Sequence, residues 1–263
     1  MKKNFILLAI TIASLSSCQK RDEYLSNDSL KNKNVNDVSL QHKPNADVKQ
    51  CAIIQISYPT GISNDILQFT YNSAGDPVSG TRLLGGSTGH PDYVFKYDSK
   101  NRLVEFIGPY KGNTYSEFWH KYFYDNQGNI ISDSTYIFPG IANGYPENAF
   151  SRHLTFYTYD NKQRIIKDST VSNAGPAVVN RYSYDGNANK VGGSYDDGVN
   201  INRSNKIWMF LNRDYSVNNS FKADGYNTSG FPSGVNQTSN ENSLTFLGNV
   251  YSVAQIIYQC DAN

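Results

Sequence analysis

The chain has 263 residues and a formal net charge of +1, with 24 Lys and Arg against 23 Asp and Glu. That balance gives no electrostatic basis for binding nucleic acid or for adsorbing to an anionic membrane surface. Twenty Tyr and thirteen Phe, with few helix-type Leu/Ala runs, direct the chain toward β structure.

Met1, Lys2 and Lys3 open with positive charge, and Phe5 to Leu15 is an apolar run too short to cross a bilayer as a helix. Leu15, Ser16, Ser17 and Cys18 resemble the bacterial lipobox, which implies a signal peptide over 1–17 and lipidation of Cys18. Multiple acyl chains hold firmly, since each buried CH₂ contributes about 0.8 kcal/mol. The membrane is thus expected as a partner through the N-terminal lipid. Residues 18–50 are rich in Asn, Lys, Asp and Ser and nearly free of aromatics, so a disordered tether is expected. Gln19 directly after the cysteine resembles the sorting rule for the outer membrane, facing periplasm or cell surface.

The remaining 51–263 suffices for one core or one long sheet. Cys51 opens the apolar run 51–58 and Cys260 closes the run 253–260. Antiparallel pairing of these runs brings the two cysteines level, sets Ile54 against Ile257 and Ile56 against Gln255, and predicts a Cys51–Cys260 disulfide in an exported protein.

Between those runs one unit recurs. An aromatic-x-Tyr triplet meets Asp or Asn, then a short polar turn, then an apolar position. The copies start at Phe69-Thr70-Tyr71-Asn72, Phe95-Lys96-Tyr97-Asp98, Tyr122-Phe123-Tyr124-Asp125, Tyr157-Thr158-Tyr159-Asp160 and Tyr182-Ser183-Tyr184-Asp185. Alternation puts both aromatics of a triplet on one strand face. The carboxylate or amide starts a turn by accepting from backbone N–H groups two residues on. Gly75 and Gly128 hold the late turn position where a left-handed backbone is usual, with Asn101, Gln163 and Ala188 in the other copies. Each unit reads as a β-hairpin, and the chain as an all-β antiparallel meander of about fourteen strands. A sheet that long, with its first and last strands paired, is expected to curve strongly or close like a barrel. Lys96, Glu105, Lys121 and Lys167 interrupt the strands, which argues against a lipid-facing porin.

The units Tyr124 to Ile130 and Tyr159 to Ile165 resemble the YD repeats of Rhs-type proteins. Asp214-Tyr215-Ser216-Val217-Asn218-Asn219 and Tyr226-Asn227-Thr228-Ser229-Gly230-Phe231-Pro232 resemble a family of Bacteroidetes-type lipoproteins of unknown function with a porin-like fold. That resemblance covers most of 51–263 and implies a fold and a location, but no catalytic residue.

No nucleophile elbow, phosphate loop or dinucleotide fingerprint occurs. His42 falls in the tether, and His90, His120 and His153 lack metal-ligand spacing, so neither metal nor cofactor is expected. Asp196, Asp197, Asn200 and Asn202 carry oxygens suited to Ca²⁺ but not the spacing of a known loop. Glu105, Glu117, Glu147 and Glu241 stand in no suggestive context. Trp119 and Trp208 are candidates for stacking on a sugar ring, against the plainer reading that both pack in the core. The expected function is a non-enzymatic glycan- or protein-binding or structural module of the cell envelope. A glycoside hydrolase, its carboxylates drawn from distant strands, and a Rhs-like shell component stay open.

Overall fold

A computed structural model of the protein describes residues 51–59, 63–86, 88–112, 114–172, 175–236 and 243–260. The expected signal peptide, Cys18 and the expected tether to residue 50 lie outside them, as do His42 and Glu241.

The strands are β1 (Cys51–Pro59), β2 (Asn64–Tyr71), β3 (Pro77–Arg82), β4 (Tyr93–Tyr97), β5 (Leu103–Pro109), β6 (Ser116–Tyr124), β7 (Ile130–Ile137), β8 (Gly140–Ala142) and β9 (Tyr145–Glu147). They continue with β10 (Ser151–Tyr159), β11 (Ile165–Ser172), β12 (Gly175–Arg181), β13 (Gly225–Tyr226), β14 (Pro232–Asn236), β15 (Leu244–Phe246), β16 (Asn249–Tyr251) and β17 (Val253–Cys260). Among the described residues, thirteen strands form one sheet in the order β12-β11-β10-β7-β6-β5-β4-β3-β2-β1-β17-β14-β13, and β8–β9 and β15–β16 are separate hairpins. Each of these pairings is antiparallel.

The turns of the repeats are built as the sequence predicts, but the Tyr182 copy is a correction: after its turn only an isolated Tyr184–Lys190 bridge forms, and no strand resumes at Val191. In each copy the Asx oxygen Oδ1 accepts from the amides two and four residues on. For Asp98 these are Lys100 and Arg102, both at 2.9 Å; for Asp160, Lys162 at 2.9 Å and Arg164 at 3.0 Å. Asn72, Asp125 and Asp185 repeat the pattern. The left-handed position is filled at Gly75 (φ 78°), Asn101 (56°), Gly128 (87°), Gln163 (61°) and Ala188 (61°). Asn227 makes a sixth such turn, accepting from Ser229 and Phe231 at 3.0 Å each, with Gly230 at φ 81°.

The second tyrosine of each repeat reaches back one hairpin. Its hydroxyl donates to a backbone carbonyl: Tyr71 to Ile53 (2.6 Å), Tyr97 to Pro77 (2.6 Å), Tyr124 to Leu103 (2.8 Å), Tyr159 to Ile130 (2.8 Å) and, more loosely, Tyr184 to Ile165 (3.5 Å). Each phenol thereby ties its unit to the preceding one. A buried hydroxyl needs such a partner, and each bond contributes about 1 kcal/mol.

The first and last strands pair, with Cys51 opposite Cys260 and joined to it. The register beyond the cysteines is a correction. Ile54 is an extra residue at a bulge, so Gln55 lies opposite Ile257 and Ile56 opposite Ile256, not Ile54 against Ile257 and Ile56 against Gln255. Barrel-like closure is corrected too: β17 continues the sheet outward to β14 and β13, while β12 ends the other side. The seam therefore lies inside an open sheet.

One sheet face is covered. The segment after the last repeat crosses it with a 3₁₀ turn (Ile201–Ser204) and helix α1 (Lys206–Leu211). Asn205 caps α1 by accepting from the Ile207 backbone amide through Oδ1 at 2.8 Å, and its side-chain Nδ2 donates to the Gly75 carbonyl of the first repeat turn. Trp208, Phe210 and Ile207 of α1 bury against Phe69, Phe95, Tyr122 and Tyr157, and the β15–β16 hairpin adds Leu244, Phe246 and Tyr251 to the same core. Beside this hairpin the buried Arg82 guanidinium meets Asp65, Tyr58, Tyr93 and Asn249, which locks β1 to β4 and β16 together.

Two outcomes test this architecture. Unreduced peptide mapping should yield a 51–260 crosslink, and Cys260→Ser should lower Tm, since a closed loop of 209 residues stabilises by up to about 5 kcal/mol. Ala188→Gly should raise stability by about 1 kcal/mol in chemical denaturation, because alanine is strained at φ 61°.

Candidate functional site

On the covered face, where α1 ends, charged and hydroxyl groups form a chain. Arg213, itself left-handed at φ 52°, donates through Nη1 to the Phe210 carbonyl and through Nη2 to the Tyr157 hydroxyl, each at 2.5 Å. Tyr157 donates to Oδ2 of the buried Asp133, and Thr135 donates to its Oδ1 at 2.8 Å. The Thr135 hydroxyl has one proton, which Asp133 receives, so at 2.9 Å it accepts from His120 Nδ1. That fixes the proton of neutral His120 on Nδ1 and leaves Nε2 as the acceptor. The ring is held between Phe106 and Tyr122, with centroids 5.9 Å away on each side.

Burial opposes the charge of Asp133, yet His120, Tyr157 and Thr135 together hold its carboxyl below the usual carboxylate range. A second carboxylate on this face, Asp168, accepts from Asn180 at 2.8 Å and from Tyr182 at 2.5 Å. The arrangement clamps the end of α1 to β7 and β10. Sequence reasoning missed it, because Arg213 stands far from Asp133 and Tyr157 along the chain.

The residues nominated from sequence scatter. Trp208 is fully buried on α1, not on a strand, and Trp119 is 2% exposed on the opposite sheet face, with the Lys96 and Lys121 ammonium groups 4.9 and 5.8 Å from its ring. Neither ring has a free face for a sugar, which corrects the ligand-stacking expectation in favour of packing. Glu105 is engaged by Lys96 at 2.8 Å and Lys121 at 3.6 Å, Glu117 accepts from the Gly89 amide, Glu147 is exposed on β9, and His90 is exposed. His153 meets Ser151 at 3.4 Å. Asp196 accepts from the amides of Gly198 and Asn219, while Asn200 and Asn202 donate to Asp214. These oxygens brace the loop that carries α1. Among the described residues no group of three His, Cys, Asp or Glu side chains is placed to hold a metal ion.

The opposite face, away from α1, is less covered at β10 to β12. Thr158, Lys167 and Arg181 stand level on these three strands. With Asp160, Arg164 and Ser183 they border an open hollow of about 660 Å³. Arg164 is satisfied there, bonded to Asp160 at 2.7–2.8 Å and stacked 3.9 Å from the Tyr184 ring. The next rows carry Phe123, Phe156, Leu154, Val171 and Val179, all exposed. Among the described strands β12 is an edge of the sheet, exposed along its full length.

No family model matches the chain, and no curated protein does. Among solved structures, a chain of a TcdB2–TccC3–Cdc42 crystal structure is similar at 13% identity and a TM-score of 0.30. The match covers 53% of this chain and 8% of that one.

The interlocked phenols predict a steep alkaline limit. Burial raises Tyr71, Tyr97, Tyr159 and Tyr184 well above the ordinary phenol value and Tyr124 to about 12. The folded chain holds these protons more tightly than the unfolded chain. Their stabilisation is therefore complete below about pH 10 and fades as pH rises beyond it. Asp133 acts oppositely: its contribution is complete above about pH 4 and is lost as pH falls through its lower folded value. Phenolate absorbance and circular dichroism should change together above about pH 10. Phenols that ionise at their ordinary value in a still-folded protein would contradict the phenol–carbonyl bonds.

Proposed function

We propose that the protein is a lipid-anchored, non-enzymatic binding module of the cell envelope, attached at the outer membrane through Cys18, and that it engages a glycan or envelope protein with the sheet face opposite α1. One observation carries the binding surface. On the covered face Arg213, Tyr157, Asp133, Thr135 and His120 are bonded in one chain, whereas among the described residues Lys167 and Arg181 in the hollow on β10–β12 have no acidic partner. The lipobox residues Leu15 to Cys18 support the anchor, and the Cys51–Cys260 bond supports an oxidising compartment.

Fractionation of cells expressing wild type and Cys18→Ala tests the anchor: wild type should sediment with outer membranes and the variant should appear in the soluble fraction. A variant that stays in the membrane pellet would contradict lipid attachment. Envelope polysaccharide incubated with the soluble variant should be recovered at its original length; shortened products would establish hydrolysis and end the non-enzymatic reading.

A further inference from the structure

We infer that the hollow on β10–β12 is a binding site for an acidic saccharide, whose carboxylate, sulfate or phosphate group sits between Lys167 and Arg181. This assigns a ligand class to the binding surface described above and rests on that reading.

One cross-strand pairing in the hollow costs the sheet stability. Lys167 of β11 and Arg181 of β12 are direct partners. The Tyr182 amide donates to the Ile166 carbonyl at 2.8 Å, which makes Lys167–Arg181 a non-hydrogen-bonded pair, the kind whose Cα atoms lie closest, about 4.5 Å apart. Like charges directly opposite in this geometry destabilise a sheet. Elsewhere on the same face the chain avoids the problem: Lys96 and Lys121 flank β5 from either side and share Glu105 between them. Among the described residues neither Lys167 nor Arg181 has an ion-pair partner, and Asp160, the carboxylate lining the hollow, is taken by Arg164. An anionic group is what the pair lacks.

The surroundings select the rest of the ligand. An Arg guanidinium offers two parallel donors to an oxyanion, and the Lys ammonium adds a point charge. The Thr158 and Ser183 hydroxyls border the hollow and can donate or accept, as sugar hydroxyls require. The hollow of about 660 Å³ lies in the size range of small-molecule sites. A concave, hydroxyl-lined depression fits a saccharide unit better than it fits the plane of a membrane.

Titration calorimetry on the soluble Cys18→Ala full chain tests the inference with an oligogalacturonate, a sulfated oligosaccharide, a neutral oligosaccharide of equal length and phosphatidylglycerol vesicles. At least one of the two acidic oligosaccharides should bind, more weakly as salt rises, and the neutral one should not. Lys167→Gln and Arg181→Gln should each weaken binding at least about tenfold, the loss of one charge-assisted contact, while Arg152→Gln, on β10 outside the hollow, should not. Because each substitution at the pair removes a repulsion, Tm should hold or rise, which separates lost binding from lost folding. Absence of binding by both acidic probes, equal binding of the neutral one, indifference to both substitutions, or preference for vesicles would each overturn the assignment. Neutral-glycan binding that ignores Lys167 would leave the binding-module reading standing, whereas cleavage of a probe would end that reading as well.

Discussion

The structure depends on one local constraint, the Asx oxygen that caps each hairpin turn. A short carboxylate or amide accepts two backbone N–H groups that the turn would otherwise leave unsatisfied, and the residue after the first of those donors takes a left-handed backbone. The turn fixes hairpin register, and register decides which face receives the aromatic pair. A slip of one residue would move Phe95 and Tyr97, or Tyr157 and Tyr159, from core to solvent. With register set, the second tyrosine of each unit lies within reach of the preceding hairpin's carbonyl. Local turn chemistry thus becomes long-range order along the sheet.

One aromatic-rich sheet face cannot stay exposed, and the chain covers it with its own later segment. The α1 helix has six residues and little intrinsic stability at that length. Asn205 holds one end to the first repeat turn and Arg213 holds the other to Tyr157. Trp208 then lies between Phe69, Phe95 and Phe246, with centroids 5.2 to 5.6 Å away. The largest aromatic of the segment is therefore a packing residue, and the buried charges around Arg213 position it. At such sites the interaction is local in space but not in sequence.

That distinction separates what was legible in the sequence from what was not. The repeats, their turn positions and the Cys51–Cys260 seam follow from short-range spacing and strand alternation, and the structure has them. The Ile54 bulge was invisible, because an extra residue leaves the composition of β1 unchanged and shows only in its pairing. Closure does not occur, because the pairing of first and last strands does not end the sheet: the run around Val235 adds beyond β17. The Asn227 turn was legible in principle. Tyr226, Asn227 and Gly230 have the repeat spacing, but Asp224 stands where the first aromatic of the triplet belongs. The Lys167–Arg181 pair became visible only once β11 and β12 were in register.

The six Asx turns share one hydrogen-bond pattern, and the constraint predicts that they behave as equivalent parts of the fold. Native-state hydrogen exchange measures that equivalence directly, at the amides two and four residues after Asn72, Asp98, Asp125, Asp160, Asp185 and Asn227. These amides should be protected in all six turns and should open together with the adjoining strands. Exchange at the Asn227 turn as fast as in a free loop, with the other five protected, would contradict the account.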